Sequence, residues 1–529
     1  MKPFLRLPLS VFAIAVATGC STLPQPPLQA VERKTPFADP VRVLDRLTWG
    51  ANPSSVRDVM QQGLDAYMRA QLNPSTEPDI PEAVREHIAM MSISQTPVES
   101  RVIEMNRQRL SADAVKDDEQ RSTSRQAYQQ ALAKYGRETS TRALLRAVYS
   151  KNQLREQMTW FWFDHFNVYQ NRGLLRALVA DYEDRAIRPY ALGHFRDMLR
   201  AVVHHPAMLI YLDNAQNASG RINENLAREL MELHTLGVDG GYTQVDVQEL
   251  ARILTGVGVN LRSDTPQVRR AVRDDYVRDG LFEFNPNRHD YGDKKFLGGV
   301  VKGGGLKEVD EAIDRLARHP STARFISRKI ATYLVSDTPP GALVDRMAAE
   351  FTRTDGDIAA TLAVLFDSPD FAASLGRKFK DPVHYVVSAV RFAYDTSDTS
   401  DATDPSVQKI IVNAQPMINW LNRMGQPLYG RQTPDGYPQA GNSWTSPAQM
   451  ATRFEIARAI VTGGGGGRMF RPEGATTTER PPPPQLSNVV YRESLQARLS
   501  TATRAVLDEA NSRDDWNVLL LASPEFQNR

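Results

Sequence analysis

Five side chains stand out as able to do chemistry: His165, Glu229, Glu232, His289 and Asp290. Histidine and carboxylate can activate water, either alone as general bases or on a bound divalent metal. Glu229 and Glu232 belong to the densest such stretch, NENLARELMELHTLGVDGGYTQVDVQELARILTG, residues 223–256. At 100° per residue, Leu226, Leu230, Leu233 and Gly237 form an apolar stripe. Asn225, Glu229 and Glu232 share one flank of that stripe, and His234 takes the other. Glu229 and His234 are then about 140° apart, so a regular helix does not offer both to one ion, unlike the i, i+4 histidines of HExxH. A metal here takes Glu229 or Glu232 and finds its other ligands elsewhere.

Each candidate also has a purely structural explanation. Glu224–Arg228 and Arg228–Glu232 are i, i+4 pairs, Asn223 suits an N-cap and Gly237 suits the position after a helix. Glu229 resists this explanation, because it borders the stripe with no cation one turn away. His165 falls on the apolar face of the aromatic segment NQLREQMTWFWFDHFNVY, where a lone histidine can equally be a satisfied core residue. His289-Asp290 opens the loop HDYGDKKFLGG, which suits either a functional loop on a rigid scaffold or an Asx turn closed by Asp290. Gly240-Gly241 permits positive φ, and Thr243 with Asp246 has the form of a capping box. The stretch lacks the spaced oxygen ligands of a calcium loop. No GxSxG elbow, Walker loop or Rossmann fingerprint stands in its required context.

The elements that must position these residues are helical. Apolar residues recur at three- and four-residue steps from Val41 onward. Residues 99–140 are polar and predict a long solvated helix or hairpin, and Thr141 is expected to cap a separate helix ending at Tyr149. The segment 152–169 is apolar nearly all round and predicts a central, enclosed helix. Another helix is expected over Leu174–Ile187, with a restart at Arg188-Pro189, and His204-His205-Pro206 ends the one that follows. Asp181, Glu183, Arg185 and Arg188 predict an interhelix ion-pair network, while His204, Asp213 and Asn214 either line a cleft or cap helix ends. The fold class is mainly α: a large multi-helix domain, with a small irregular or β-hairpin lobe around 260–305. The family-like helical domain runs 41–462. A low-complexity Gly/Pro loop follows at 463–485, then C-terminal helices at 486–529 that pack back on the domain.

Composition is that of an ordinary globular protein, 41% hydrophobic and 24% charged over 529 residues. The net charge of +2 falls to about zero if Lys2 and Arg6 leave with a leader, which gives no basic footprint for nucleic acid. The sole cysteine, Cys20, follows a positive region, an apolar run Leu7–Ala17 and the small residues Ala17-Thr18-Gly19. This pattern resembles a bacterial lipoprotein signal, with Ala17 where such signals usually carry Leu. Residues 1–19 would be removed and Cys20 lipidated, anchoring the chain to a membrane without a spanning helix. Ser21 suits the outer membrane, with the chain facing the periplasm or the surface. Residues 20–40 are a proline-rich tether.

Several motifs resemble the bacterial DUF 1800 family, a domain of unknown function. They are RLTWG from Arg46, FWFDHFNVY from Phe161, DYEDRAIRPYALGHFRDML from Asp181 and HPAMLIYLDNAQN from His205. The long NENLARELMELHTLGVDGGYTQVDV, HDYGDKKFLG, LARHPSTARFISRK from Leu316 and SDTPP from Ser336 complete the set. The resemblance covers about 41–529, implies an exported protein, and points to an envelope partner of the DUF 1501 family. It carries over no catalytic role. Two functions stand side by side: an accessory or scaffold for an envelope partner or polymer, and a hydrolase-like envelope enzyme with a His/carboxylate site and a divalent metal.

Overall fold

Polar helices with few β-branched residues can stand partly in solvent, and residues 98–149 do so as a helical hairpin. Helix α1 (Val98–Ala114) packs on the long α2 (Asp118–Tyr149). The computed structural model describes residues 39–75, 79–262, 264–395, 410–462, 466–472 and 484–529. The leader, Cys20, nearly all of the tether, the polar loop from 396 and most of the Gly/Pro stretch lie outside the described residues. Among the described residues, no helix is long and apolar enough to cross a membrane.

The expected cap at Thr141 is not there. Helix α2 runs unbroken through that position from an N-cap at Asp117, whose side chain accepts from the Gln120 amide. Gly136 lies within it, at a point where a Cβ would come 3.0 Å from the Gln170 side chain. Thr139, two residues upstream, folds back on the Tyr135 carbonyl (2.8 Å), an interaction compatible with an uninterrupted helix.

The aromatic segment forms α3 (Gln153–His165), and it is enclosed on every side. Trp162, Phe161, Phe163 and Met158 are at most 1% exposed. Enclosure obliges its polar side chains to find partners. Gln153 accepts from the Trp49 amide (3.0 Å) and donates to the Ala147 and Ser150 carbonyls. Gln157 donates to the Arg46 carbonyl and accepts from Arg529, and the Trp162 indole donates to the Ala191 carbonyl (3.0 Å). Glu156 takes a two-pronged bond from Arg188.

The segment after α3 is not one helix. It alternates a 3-10 turn (Leu175–Ala177), a short α-helix (Val179–Tyr182), a π turn (Glu183–Ile187) and a second 3-10 turn (Arg188–Tyr190). Pro189 has no amide hydrogen to give the turn before it, which loosens the ladder. The acidic and basic residues here do form a network: Asp184 with Arg142 and Arg146, Asp181 with Arg185 and His205. Asn214 holds the Leu254 and Val257 carbonyls, while Asp213 pairs with Arg172.

The opening motif also departs from a regular helix. Helix α4 (Asn225–Glu229) passes directly into a π turn, Leu230–Thr235. The Leu236 and Gly237 amides both reach the Met231 carbonyl, and the Thr235 hydroxyl bonds the Leu230 carbonyl (2.6 Å). Asn223 precedes the start and accepts from the Asn225 amide (3.0 Å), but the N-cap position falls on Glu224, which makes no side-chain cap bond. Glu224 pairs with Arg228, whose other partner is Gln244 rather than Glu232. Helix α5 (Gln244–Ile253) begins with the expected Thr243–Asp246 capping box.

The β structure among the described residues is slight. Strands β1 (Val257–Val259), β2 (Val277–Asp279) and β3 (Phe282–Phe284) form an antiparallel sheet in the order β1-β3-β2. Strands β4 (Lys294–Phe296) and β5 (Gly299–Val301) make a separate hairpin. Helices resume with α6 (Leu306–Ala317) and α7 (Pro320–Leu334). Further on, helix Arg513–Ala522 packs against Pro447–Val461. The molecule is mainly α.

Gly237 ends the π turn with φ +84°, and a Cβ there would lie 2.8 Å from the Phe325 ring of α7. Gly237→Ala is expected to lower stability by at least about 1 kcal/mol, from the left-handed backbone alone. Urea unfolding checks this, and an unchanged midpoint would refute the packing described for this turn.

Candidate functional site

The structure distributes the five chemically capable residues over two separate environments. His289 and Asp290 belong to the small β lobe. The His289 Nδ1 donates to the Thr255 carbonyl (2.7 Å) and its Nε2 faces Glu308 (2.9 Å). Glu308 also binds the Lys294 ammonium and accepts from the amides of Gly304 and Gly305. Burial opposes charge on Glu308, yet these donors hold its carboxyl below the ordinary range. Asp290 is engaged twice by Arg252 and accepts from the Gly292 amide, so it does close an Asx turn. These contacts bind the hairpin loop to α5 and α6.

His165 lies at the other end of α3. Its Nε2 donates to the His234 carbonyl (3.0 Å), while its Nδ1 is buried without a partner. The rings of Phe161, Trp162, Phe166, Phe325 and His234 surround it. The π turn brings in His234, fully buried, with neither ring nitrogen in a well-formed hydrogen bond although the Pro434 carbonyl is near. Burial, reinforced by the nearby Lys329 cation, holds both imidazoles neutral: His165 is well below its ordinary range and His234 is pushed down to about 3.

Lys329, on α7, stands over the Phe325 ring at 5.7 Å. It carries no hydrogen bond or ion pair among the described residues. Burial lowers the proton affinity of its amine, with Asp164 and Asp435 opposing. Burial likewise raises the Asp164 carboxyl to about 7, although it accepts from the Tyr437 amide (2.7 Å). Burial thus opposes charge on both the Lys329 amine and the Asp164 carboxyl. Nothing local singles out Lys329, since a lysine on a helix is ordinary.

Over these groups lies the segment 428–437, none of whose residues is among the five candidates. Gln170 bonds the Leu428 and Tyr429 carbonyls, and Asn167 bonds those of Arg431 (3.0 Å) and Thr433 (2.8 Å). Gly436, at φ +77°, sits so close to Asp164 that a Cβ would lie 2.2 Å from its carbonyl oxygen. The signal was present in Pro434-Asp435-Gly436, a turn sequence whose glycine supplies the positive φ.

Beyond this segment opens a cleft of about 600 Å³, bounded by Tyr169, Arg172, Tyr211, Asn225, Glu229 and the stretch 432–434. Glu229 is half-buried in its wall, with no hydrogen bond or ion pair among the described residues. Burial first, and then the Glu232 carboxylate, raise its proton affinity. Glu232 itself lies outside the cleft lining and is likewise unpaired. The structure thus brings His165 near His234 and not near His289, whose ring neighbours are Phe284 and Tyr291. Among the described residues, no three His, Cys, Asp or Glu side chains converge as a metal site requires.

Two outcomes follow. Glu308→Gln leaves Lys294 buried without a counter-charge and should cost about 3 kcal/mol or more, measured by denaturant unfolding. Near His234 the pH dependence has two opposing parts. The imidazoles gain protons below about pH 6.5 only in the unfolded chain, so acid removes stability down to about pH 3. Asp164 binds its proton more tightly when folded, so between about pH 7 and 4 acid adds stability. Asp164→Asn should therefore steepen the acid loss over that window, and a parallel pair of stability–pH curves would contradict the assignment.

No curated protein and no solved structure matches the chain. One family matches residues 42–528, nearly the whole sequence, under the description of a protein of unknown function. The chain belongs to the DUF1800 family.

Proposed function

We propose that this protein is an outer-membrane lipoprotein, anchored at Cys20, that serves as an accessory or scaffold for an envelope partner or polymer. One observation carries the reading: an open cleft of about 600 Å³ is walled by a half-buried Glu229 with no hydrogen bond or ion pair among the described residues. The buried charges of the β lobe, in contrast, are consumed in holding the fold together. Side chains left without internal partners at an open surface are available for recognition. The leader pattern and the proline tether support a cell-envelope location facing the periplasm or the surface. The family's resemblance-based association makes a DUF 1501 protein the first partner to seek.

The enzymatic alternative, with a His/carboxylate site and a divalent metal, has less support. It draws on His165, Glu229, Glu232, His289 and Asp290 together, and their contacts fall into disjoint sets.

Mild crosslinking of intact cells followed by affinity recovery of the full chain tests the proposal. A specific envelope partner or polymer should be retained, and its yield should fall in Glu229→Gln. Recovery of abundant porins alone, unchanged by the substitution, argues against it. Cys20→Ala should move the protein from the membrane fraction to the soluble fraction.

A further inference from the structure

The cleft beside Glu229 has a chemistry more specific than recognition in general. Its polar side chains divide into those already paired and those left open. Arg172 is taken by Asp213 through two bonds of 2.7 and 2.8 Å, and its guanidinium lies 5.8 Å from the Tyr211 ring. At the rim, Arg431 is taken by Asp435 and Arg228 by Glu224. The Tyr211 hydroxyl donates to the Gln432 carbonyl (2.7 Å).

Four side-chain groups in the lining have no partner among the described residues: the Glu229 carboxylate, the Asn225 and Gln432 amides, and the Tyr169 phenol. The cations around the cleft are therefore neutralised, which disfavours an anionic ligand. What is left open is one carboxylate, two neutral amides that both donate and accept, and a phenol on an aromatic ring. A carboxylate accepts two hydrogen bonds at once, which suits a pair of adjacent hydroxyls. Amides serve groups that donate and accept in turn. An aromatic ring packs against a face of C–H groups. A saccharide offers all three: vicinal hydroxyls, groups of both polarities, and an apolar ring face.

We infer that this cleft is a binding site for a neutral oligosaccharide segment, with Glu229 accepting from a vicinal diol and Tyr169 supporting a sugar ring. The inference rests on the recognition reading above and names its ligand class. The volume of about 600 Å³ is in the range of small-ligand sites and admits a short oligosaccharide. The wall is firm as well as open. Tyr169 lies four residues past the end of the enclosed α3, and the stretch 432–434 is pinned by Asn167 and Tyr211. Preorganisation of this kind limits the ordering cost of binding.

Isothermal titration calorimetry of the full chain in detergent micelles tests this with cellohexaose, chitohexaose and hexalysine as probes. A neutral hexasaccharide should bind. Glu229→Gln should raise its Kd by about tenfold or more, the worth of a hydrogen bond to a charged group. Tyr169→Ala should weaken binding by a comparable factor. Met90→Ala, in a different surface cleft, should leave it unchanged. Thermal unfolding of each variant establishes that it is folded. No binding of either sugar, or a sugar Kd untouched by both cleft variants, overturns the inference. So does hexalysine binding that is lost in Glu229→Gln, which would assign the cleft to a cationic peptide. If crosslinking still recovers a partner while the sugars fail, the ligand class is wrong and the recognition role survives. If neither is seen, both fall.

Discussion

A helix that is apolar on nearly every side has to be enclosed, and most of this structure follows from enclosing Gln153–His165. Each buried aromatic side chain contributes about 2–3 kcal/mol only if water is excluded around it, so neighbours are required on all sides. The polar residues on the same helix then dictate which neighbours. Gln153 and Gln157 need backbone partners, and the segment Arg46–Trp49 supplies them. Glu156 needs a cation and Arg188 supplies it. The first and middle parts of the chain are thereby joined through a few amide and carboxylate bonds rather than through apolar contact alone.

Charge inside the fold is handled in two ways. In the β lobe, Lys294, His289 and Glu308 are taken out of water together, with backbone amides completing the set. Such a knot gives little net stability yet is costly to break, which suits a lobe with too few strands to hold itself. Around His165 and His234 the opposite solution holds: burial keeps both imidazoles neutral and opposes charge on Lys329 and Asp164.

The fold class, the enclosed helix, the capping box at Thr243 and the position of the β lobe were legible because each rests on local periodicity or turn chemistry; for 98–149 the polar composition left helix and hairpin open, and the break expected at Thr141 is absent. The Asx turn closed by Asp290 was legible as one of two readings, but the pairing of His289 with Glu308 and of Asp290 with Arg252 was not, since those partners reach them from other elements. The relation of Glu229 to His234 was also out of reach. A wheel at 100° per residue assumes α geometry, and the π turn at Leu230–Thr235 breaks that assumption. The Thr235 hydroxyl, which bonds the Leu230 carbonyl, is an unremarkable threonine in the sequence. Lys329 and the segment 428–437 meet the site only through tertiary packing, which no local pattern encodes.

The π turn has one more consequence. Relative to an α-helix, it amounts to a single extra residue inserted between Glu229 and Gly237, and it lets two successive helical faces serve different surroundings. The half before it presents Asn225 and Glu229 to the open cleft, and the half after it delivers His234 to the aromatic interior. A one-residue deletion there would not merely shorten the helix. It would rotate the second half against the first, so that the interior and the surface cleft could no longer be furnished by one continuous segment.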